Sequence, residues 1–393
     1  MTRRLPICVL ALTLLAACEE EEPPAPPPAP PPPPEPIVAG RTMADDAAFA
    51  LVPVPDGALL IWASPHREGG GVKAVTLSPT GAAMGSDRPV ARRGAAAGGS
   101  AETHPSQAVE LDAFAVGRRV GVAWVLDFGH DVQVQATWSA DGGERFGAVQ
   151  ELGQTVREEP GTRGRVVVSE TDHGQLVVQH RSLDGDCVRT SGRCAMIHWR
   201  RLGSDGEAGG RPGPLEIQAP CQPLIADGLH REGTSYRAYC HEQGHGPSTM
   251  LYTIRNAVSY AEANPQPGCV PLGLSPVDEG VLAVMRCRDE LTAIAVDEMG
   301  RVRDTYRPAE RSVRCHEGRP VLQVAEDDRE SKLRLAEATA QLEALLPEDI
   351  APPGSRAIWT GETVLVAVPQ SRSVSVRRYE CLPDGRFDRT DVR

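Results

Sequence analysis

The side chains best suited to chemistry in this chain are histidines, carboxylates and arginines set in or beside glycine-rich connections. The histidines are His66, His130, His180, His241 and His245. Near them stand Glu68, Asp127, Asp131, Glu242 and Asp289, with Arg67, Arg181, Arg286 and Arg288. Imidazoles converging with carboxylates could hold a transition metal or move a proton. The spacing does not build a compact metal centre. His241-Glu-Gln-Gly-His245 places two histidines four apart, but in a glycine-rich loop, where the ligand geometry of a helix is not implied. No metal and no cofactor is therefore expected. His66, Asp127, His130, His180, His241, His245, Arg286 and Arg288 are taken forward as ligand contacts. No Gly-x-Ser-x-Gly elbow and no phosphate-cradling glycine loop before a helix is present; Gly94–Ser100 is an Ala/Gly-rich connector.

Chemistry carried by loops depends on the strands that hold the loops. A polar-glycine turn followed by an apolar run recurs in six copies, led by Gly57, Gly117, Gly174, Gly233, Gly280 and Gly361. Gly57-Ala-Leu-Leu-Ile-Trp62 and Gly280-Val-Leu-Ala-Val-Met285 are two of them. A further apolar segment precedes the glycine, as in Ala48–Val54 and Val109–Val116. Downstream, a third strand ends in a second turn with glycine: Ser78-Pro-Thr-Gly81, Gly203-Ser-Asp-Gly206, Asp297-Glu-Met-Gly300 and Leu382-Pro-Asp-Gly385. With a fourth strand closing each unit, the pattern predicts an all-β protein, a six-bladed β-propeller of four-stranded antiparallel blades. The long interval from Gly280 to Gly361 is assigned to one helical insertion over Glu326–Leu346, where Leu335, Ala338, Leu342, Leu345 and Leu346 keep helical spacing before Pro347.

In the second copy the turn is Trp138-Ser-Ala-Asp-Gly-Gly-Glu-Arg-Phe146. Its strand runs into Asp141-Gly142-Gly143, which suits a tight hairpin. Ser139 and Asp141 can hydrogen-bond the turn's own backbone, and Phe146 can fold back as an apolar plug. This stretch, Ser139, Asp141, Gly143 and Phe146, resembles the Asp box of sialidase-like propellers. The resemblance covers the scaffold from about residue 45 to 393. It implies that these turns lie on the face away from a ligand. The opposite face would then be built by Pro65–Gly71, Asp127–Asp131, His180–Cys194, Cys240–Pro247, Arg286–Glu290 and Pro369–Arg372. The resemblance does not extend to the sialidase active site. An Arg-Ile-Pro segment is missing, and Tyr379-Glu380 falls on a strand beside the Asp-box face.

The N-terminus is the most specific signal. Arg3-Arg4, the apolar Ile7–Leu15 and Leu15-Ala16-Ala17-Cys18 resemble a bacterial lipoprotein leader, residues 1–17, with acylation expected at Cys18. Residues 18–44 form an acidic and proline-rich linker. Pro23–Pro36 has eleven prolines in fourteen residues. As polyproline II it reaches roughly 43 Å, at ~3.1 Å per residue. Residues 45–393 are the propeller. Glu19 follows the lipid cysteine where inner-membrane retention in enteric bacteria is associated with Asp, so the outer membrane is expected.

Of ten cysteines, Cys8 lies in the leader and Cys18 is the lipid site. The remaining eight suggest disulfides in an exported chain. Cys221–Cys240 and Cys269–Cys287 each bracket a hairpin of the repeat, Cys187–Cys194 share one loop, and Cys315–Cys381 remain by elimination. A formal net charge of −12 removes the basic face that non-specific nucleic-acid binding needs. The expectation is a lipid-anchored envelope protein that binds a protein or glycan without catalysing a reaction. A divergent sialidase-like enzyme and an envelope assembly scaffold are the alternatives.

Overall fold

The structure is a computed structural model. It describes residues 48–64, 71–92, 107–128, 132–155, 166–170, 176–182, 196–202, 226–231, 234–243, 246–255, 259–277, 280–288, 290–325, 334–337, 342–370 and 373–390. They form six antiparallel sheets, one for each leading glycine of the repeat. The first sheet is β1 (Phe49–Val54), β2 (Gly57–Ala63), β3 (Gly71–Leu77) and β4 (Arg88–Arg92). The second is β5 (Gln107–Val116), β6 (Arg119–Asp127), β7 (Val132–Ser139) and β8 (Gln150–Gln154). The third has β9 (Val166–Glu170), β10 (Leu176–Ser182) and β11 (Met196–Leu202). The fourth is β12 (Ala226–Arg231), β13 (Thr234–Gln243), β14 (Gly246–Arg255) and β15 (Ser259–Pro267).

The fifth sheet has six strands. β16 (Cys269–Val277), β17 (Gly280–Cys287) and β18 (Glu290–Val296) are followed by the long β19 (Val302–His316), then β20 (Arg319–Ala325) and β21 (Arg334–Glu337). The register of β19 shifts between Pro308 and Val313. Its first part pairs with β18 and its second part with β20. One helical turn, α1 (Leu342–Leu345), precedes the last sheet of β22 (Arg356–Trp359), β23 (Val364–Gln370), β24 (Ser373–Cys381) and β25 (Phe387–Thr390).

The helix expected over Glu326–Leu346 is corrected here. Within it, Arg334–Glu337 is a strand whose backbone pairs with Val321–Val324 of β20, and among the described residues of the stretch only Leu342–Leu345 is helical. The open edge of β20 offers a row of backbone hydrogen bonds that outweighs a local helical spacing. The long interval holds a hairpin instead. Glu317 and Gly318 both take positive φ, 49° and 77°, the signature of a two-residue turn between β19 and β20.

Continuous apolar strands explain how the sheets stack. β2 is buried along its whole length, and Val122–Val125 of β6 and Val364–Val368 of β23 are buried too. A strand covered on both faces has no polar side to alternate with. Leu59, Ile61, Val120, Val122 and Trp124 fill the seam between the first and second sheets. Ala123, Val125, Val134, Val168, Leu176 and Val178 fill the seam between the second and third. Each fully buried Val, Leu or Ile contributes about 1.5–3 kcal/mol. The inner strands touch in succession, β1 to β5, β5 to β9, β9 to β12, β12 to β16 and β16 to β21, and β22 returns to β1. Antiparallel sheets, four of the six with four strands, that follow one another in this way form a β-propeller.

The ring closes without a shared strand. Phe49, Leu60, Trp62 and Val75 of the first sheet pack against Leu365, Val374 and Val376 of the last. Thr363 Oγ1 donates to the Pro79 carbonyl at 2.5 Å across the same seam. Disulfides join Cys269 to Cys287 between β16 and β17, and Cys315 of β19 to Cys381 of β24. Cys187, Cys194 and Cys221 lie outside the described residues; Cys240 falls in β13.

Candidate functional site

The two ends of the ring are built differently. At one end the leading glycines back onto the second turns. A Cβ on Gly57 would collide with the Leu77 carbonyl, and one on Gly280 with the Val296 carbonyl. Three of the second turns share one frame. Ser78, Asp297 and Leu382 N–H groups donate to Ala82, Arg301 and Arg386 carbonyls, and Gly81, Gly300 and Gly385 N–H groups return to the first residue. Asp297 Oδ1 accepts from Met299 and Arg301 N–H, both at 2.9 Å. Burial alone would raise its carboxyl, but those N–H groups and the Arg301 guanidinium outweigh it and leave the pKa lowered.

The turn at Ser139 is longer. Ser139 Oγ donates to Asp141 Oδ1 at 2.7 Å and accepts from Gly143 N–H at 2.9 Å, while Asp141 Oδ1 accepts from Arg145 N–H at 2.9 Å. Arg88 Nε donates to the Gly143 carbonyl at 2.5 Å, and Phe146 packs on the seam between the first two sheets. The turn is thus a wedge docked on the neighbouring sheet.

The opposite end holds the strand ends that lead into the β2–β3, β6–β7 and β10–β11 connections and into β5 and β9; residues 93–106, 156–165 and 183–195 themselves lie outside the described residues. His66, His130 and His245 lie outside the described residues. His180 is a correction. It belongs to β10 rather than to a loop, pairs with Val166 and His198, and is buried at 1% exposure. The alternation that buries Leu176 and Val178 buries His180 as well. His241 is likewise in a strand, β13, opposite Ser248, because the β13–β14 hairpin is tighter than its glycines suggest. Asp127 ends β6, in line with Ala123 and Val125, so it and His180 lie on the two sheets of one seam. Arg286 is exposed in β17, opposite Leu291, rather than in a loop, and Arg288 is exposed on the β17–β18 turn; both stand beside the Cys269–Cys287 disulfide, in a sheet away from that seam. Arg288 takes φ 59°, held by its N–H bond to the Gly268 carbonyl at 3.0 Å. Among the described residues no three His, Cys, Asp or Glu side chains gather as a metal site would require. Tyr379 is buried, with its hydroxyl donating to the Ile350 carbonyl at 3.4 Å, and Glu380 pairs with Arg378. Neither offers a nucleophile to a central site.

A different set of charges occupies the inner strands. Asp112 Oδ2 accepts the Val168 N–H at 2.7 Å and Glu110 Oε1 accepts the Val166 N–H at 3.3 Å. Both N–H groups belong to the inner edge of β9, which has no strand beside it in its own sheet. At the last sheet Glu343 of α1 accepts the Ala357 N–H at 3.1 Å and faces Arg356 at 3.4 Å. Carboxylates therefore satisfy inner-edge donors that water or a further strand would otherwise serve. Burial pushes the Asp112 carboxyl up to about 6; Glu110 adds to the rise, and the Val168 N–H and Arg356 offset only part of it. Sequence reasoning missed these residues. The signal was two acids at alternate positions, Glu110 and Asp112, in an otherwise apolar inner strand.

No protein-family model matches the chain, and no curated protein matches it. Similar solved structures include the Hadza microbial sialidase Hz136, 12% identical with TM-score 0.45, over 86% of this chain and 67% of that one. The Trypanosoma rangeli sialidase in complex with sialic acid is 11% identical with TM-score 0.41, over 85% of this chain and 54% of that one. An Aleuria aurantia lectin in complex with a fucosyl-GlcNAc ligand is 9% identical with TM-score 0.42, over 90% and 97%. None of these likenesses carries a residue role or an activity to this chain.

Proposed function

We propose that the chain is a lipid-anchored bacterial cell-envelope propeller, on the outer membrane, whose loop-rich end binds a protein or glycan. The observation that carries the binding reading is the asymmetry of the two ends. One end is closed by short, internally hydrogen-bonded turns. At the other, the sequence between described strands runs through stretches of ten to fourteen residues, 93–106, 156–165 and 183–195, and long connections on a rigid scaffold are where recognition concentrates. The anchor rests on Leu15-Ala16-Ala17-Cys18, with residues 1–17 as leader and 18–44 as spacer. The two disulfides support export to an oxidising compartment. The register break in β19 favours counting the six-stranded sheet as two blades, seven in all, and the Ser139–Asp141 bonding favours an Asp box.

Two measurements test this. Cys18→Ser is expected to move the protein from the membrane fraction to the soluble envelope fraction, and retention in the membrane would defeat the anchor. Glycan-array and envelope pull-down binding by the Cys18→Ser protein is expected to be lost when residues 183–195 are replaced by a short Gly-Ser linker at unchanged melting temperature. Binding that survives replacement of that loop and of 93–106 would place recognition elsewhere.

A further inference from the structure

Glu110 and Asp112 stand two residues apart on one side of β5, and both reach across a seam to the free edge of β9. The cation that faces Asp112 is Arg356 of β22, and its guanidinium also faces Glu343. Two carboxylates, Asp112 and Glu343, thus draw on one arginine. From the other elements of the seam, Asp127 of β6, His180 of β10 and Arg200 of β11 lie on the facing surfaces. The described side chains of β7 and β9 add no titratable group. A desolvated carboxyl that shares its cation and has a second carboxylate beside it holds a proton that a separate, hydrated one would release.

We propose that Asp112, with Glu110 beside it, is a proton-binding joint between the second and third sheets, closed when Asp112 holds its proton and loosened when it ionises. Either protonation state of Asp112 can accept the Val168 N–H, but the ionised state carries a desolvated charge that the Val168 N–H and Arg356 offset only in part, and opening to water relieves it. The sign follows from linkage. The closed seam has the raised carboxyl pKa of about 6, against 3.8 in water, so the closed state binds the proton more tightly. Closing is therefore strongest below pH 4 and weakens as pH rises towards and past 6. The strands at the joint, β5, β9 and β10, are those from which residues 93–106, 156–165 and 183–195 extend. Any effect on ligand binding rests on the function proposed above; the joint itself does not.

Hydrogen exchange of the full-length protein tests it, with protection corrected for the intrinsic pH dependence of exchange. The segment Val166–Glu170 is expected to lose about tenfold in protection between pH 5 and 7.5, one pKa unit being a factor of ten. The reference segment Gly57–Ala63 should not change. Asp112→Asn, which keeps the acceptor, should flatten the Val166–Glu170 profile. Glu110→Gln, which removes a like charge, should shift its midpoint to lower pH. A wild-type profile parallel to that of Gly57–Ala63, or an Asp112→Asn protein with the wild-type profile, would overturn the joint; the latter would assign the effect to His180. If Asp112→Asn does not fold, the Glu110→Gln midpoint decides, and an unmoved midpoint counts against the proposal.

Discussion

Replacing Cys315 and Cys381 together by Ala is expected to lower the stability of the folded chain by about 4 kcal/mol. The estimate comes from loop-closure entropy. The bridge spans 66 residues of sequence, and closing a loop of that size removes roughly this much free energy from the unfolded ensemble. The Cys269–Cys287 bridge spans only 18, for about 3 kcal/mol on the same scale. Their structural roles differ more than those figures. Cys269 and Cys287 face one another in a strand pair that seven further register partners already hold. Cys315 and Cys381 join β19 to β24, strands of different sheets, where the backbone adds the Cys315 N–H bond to the Gly385 carbonyl at 3.2 Å. Urea unfolding with and without reductant reads both. The midpoint should fall further for the Cys315/Cys381 variant, and reductant should have little left to act on there. An unchanged midpoint would mean that side-chain packing alone closes this part of the ring. The same dependence ties fold to compartment, since a reducing cytosol would leave the clasp open.

Much of the scaffold was legible because its rules are steric and repeat. A glycine before or at the head of each second strand, an apolar run after it and a polar turn two strands on recur in register, and Gly57 and Gly280 fall at the starts of β2 and β17. The loop connections were assigned to the right strand pairs, since alternation of direction in an antiparallel sheet fixes which turns share an end. The stretch before the last sheet was not legible for the opposite reason. Leu335 to Leu346 has helical spacing, but the backbone at Arg334–Glu337 is claimed by the edge of β20, the strand just before it in the chain. The Glu317-Gly318 turn was a readable local signal that the helical spacing overshadowed. At the candidate site, His180 was misplaced because a polar residue at the end of an apolar run looks like the start of a loop, whereas here the strand continues through Ser182. Glu110 and Asp112 went unremarked because an acid in a strand ordinarily points to water. Only the ring brings β9 alongside and gives those carboxylates donors to meet.

Gly280→Ala and Gly57→Ala are expected to cost about 4 kcal/mol each, against about 1 kcal/mol for Gly117→Ala. All three glycines lead the same turn of the repeat, so sequence position alone predicts equal losses. Gly57 and Gly280 both have φ 136°, a region open essentially to glycine, where another residue costs on the order of 1–3 kcal/mol in strain. Gly117 has φ 58°, the left-handed helical region, where the penalty for a residue with a Cβ is roughly 1–2 kcal/mol at most. Space separates them further. A methyl group on Gly57 would meet the Leu77 carbonyl and the Ser78–Pro79 backbone, and one on Gly280 the Val296 carbonyl and Asp297, backbone that cannot swing aside. At Gly117 it would meet nothing. The collision strikes where β2 and β17 begin beside the ends of β3 and β18, so relief requires parting strands that the Ala58–Leu77 and Val281–Val296 pairs hold in register. Thermal unfolding of the three single variants distinguishes the accounts. Large drops in melting temperature for Gly57→Ala and Gly280→Ala with a small one for Gly117→Ala are the expected result. Equal drops across the three would show that the turn needs glycine for conformational freedom alone, and that the approach of the two turns does not constrain this end of the ring.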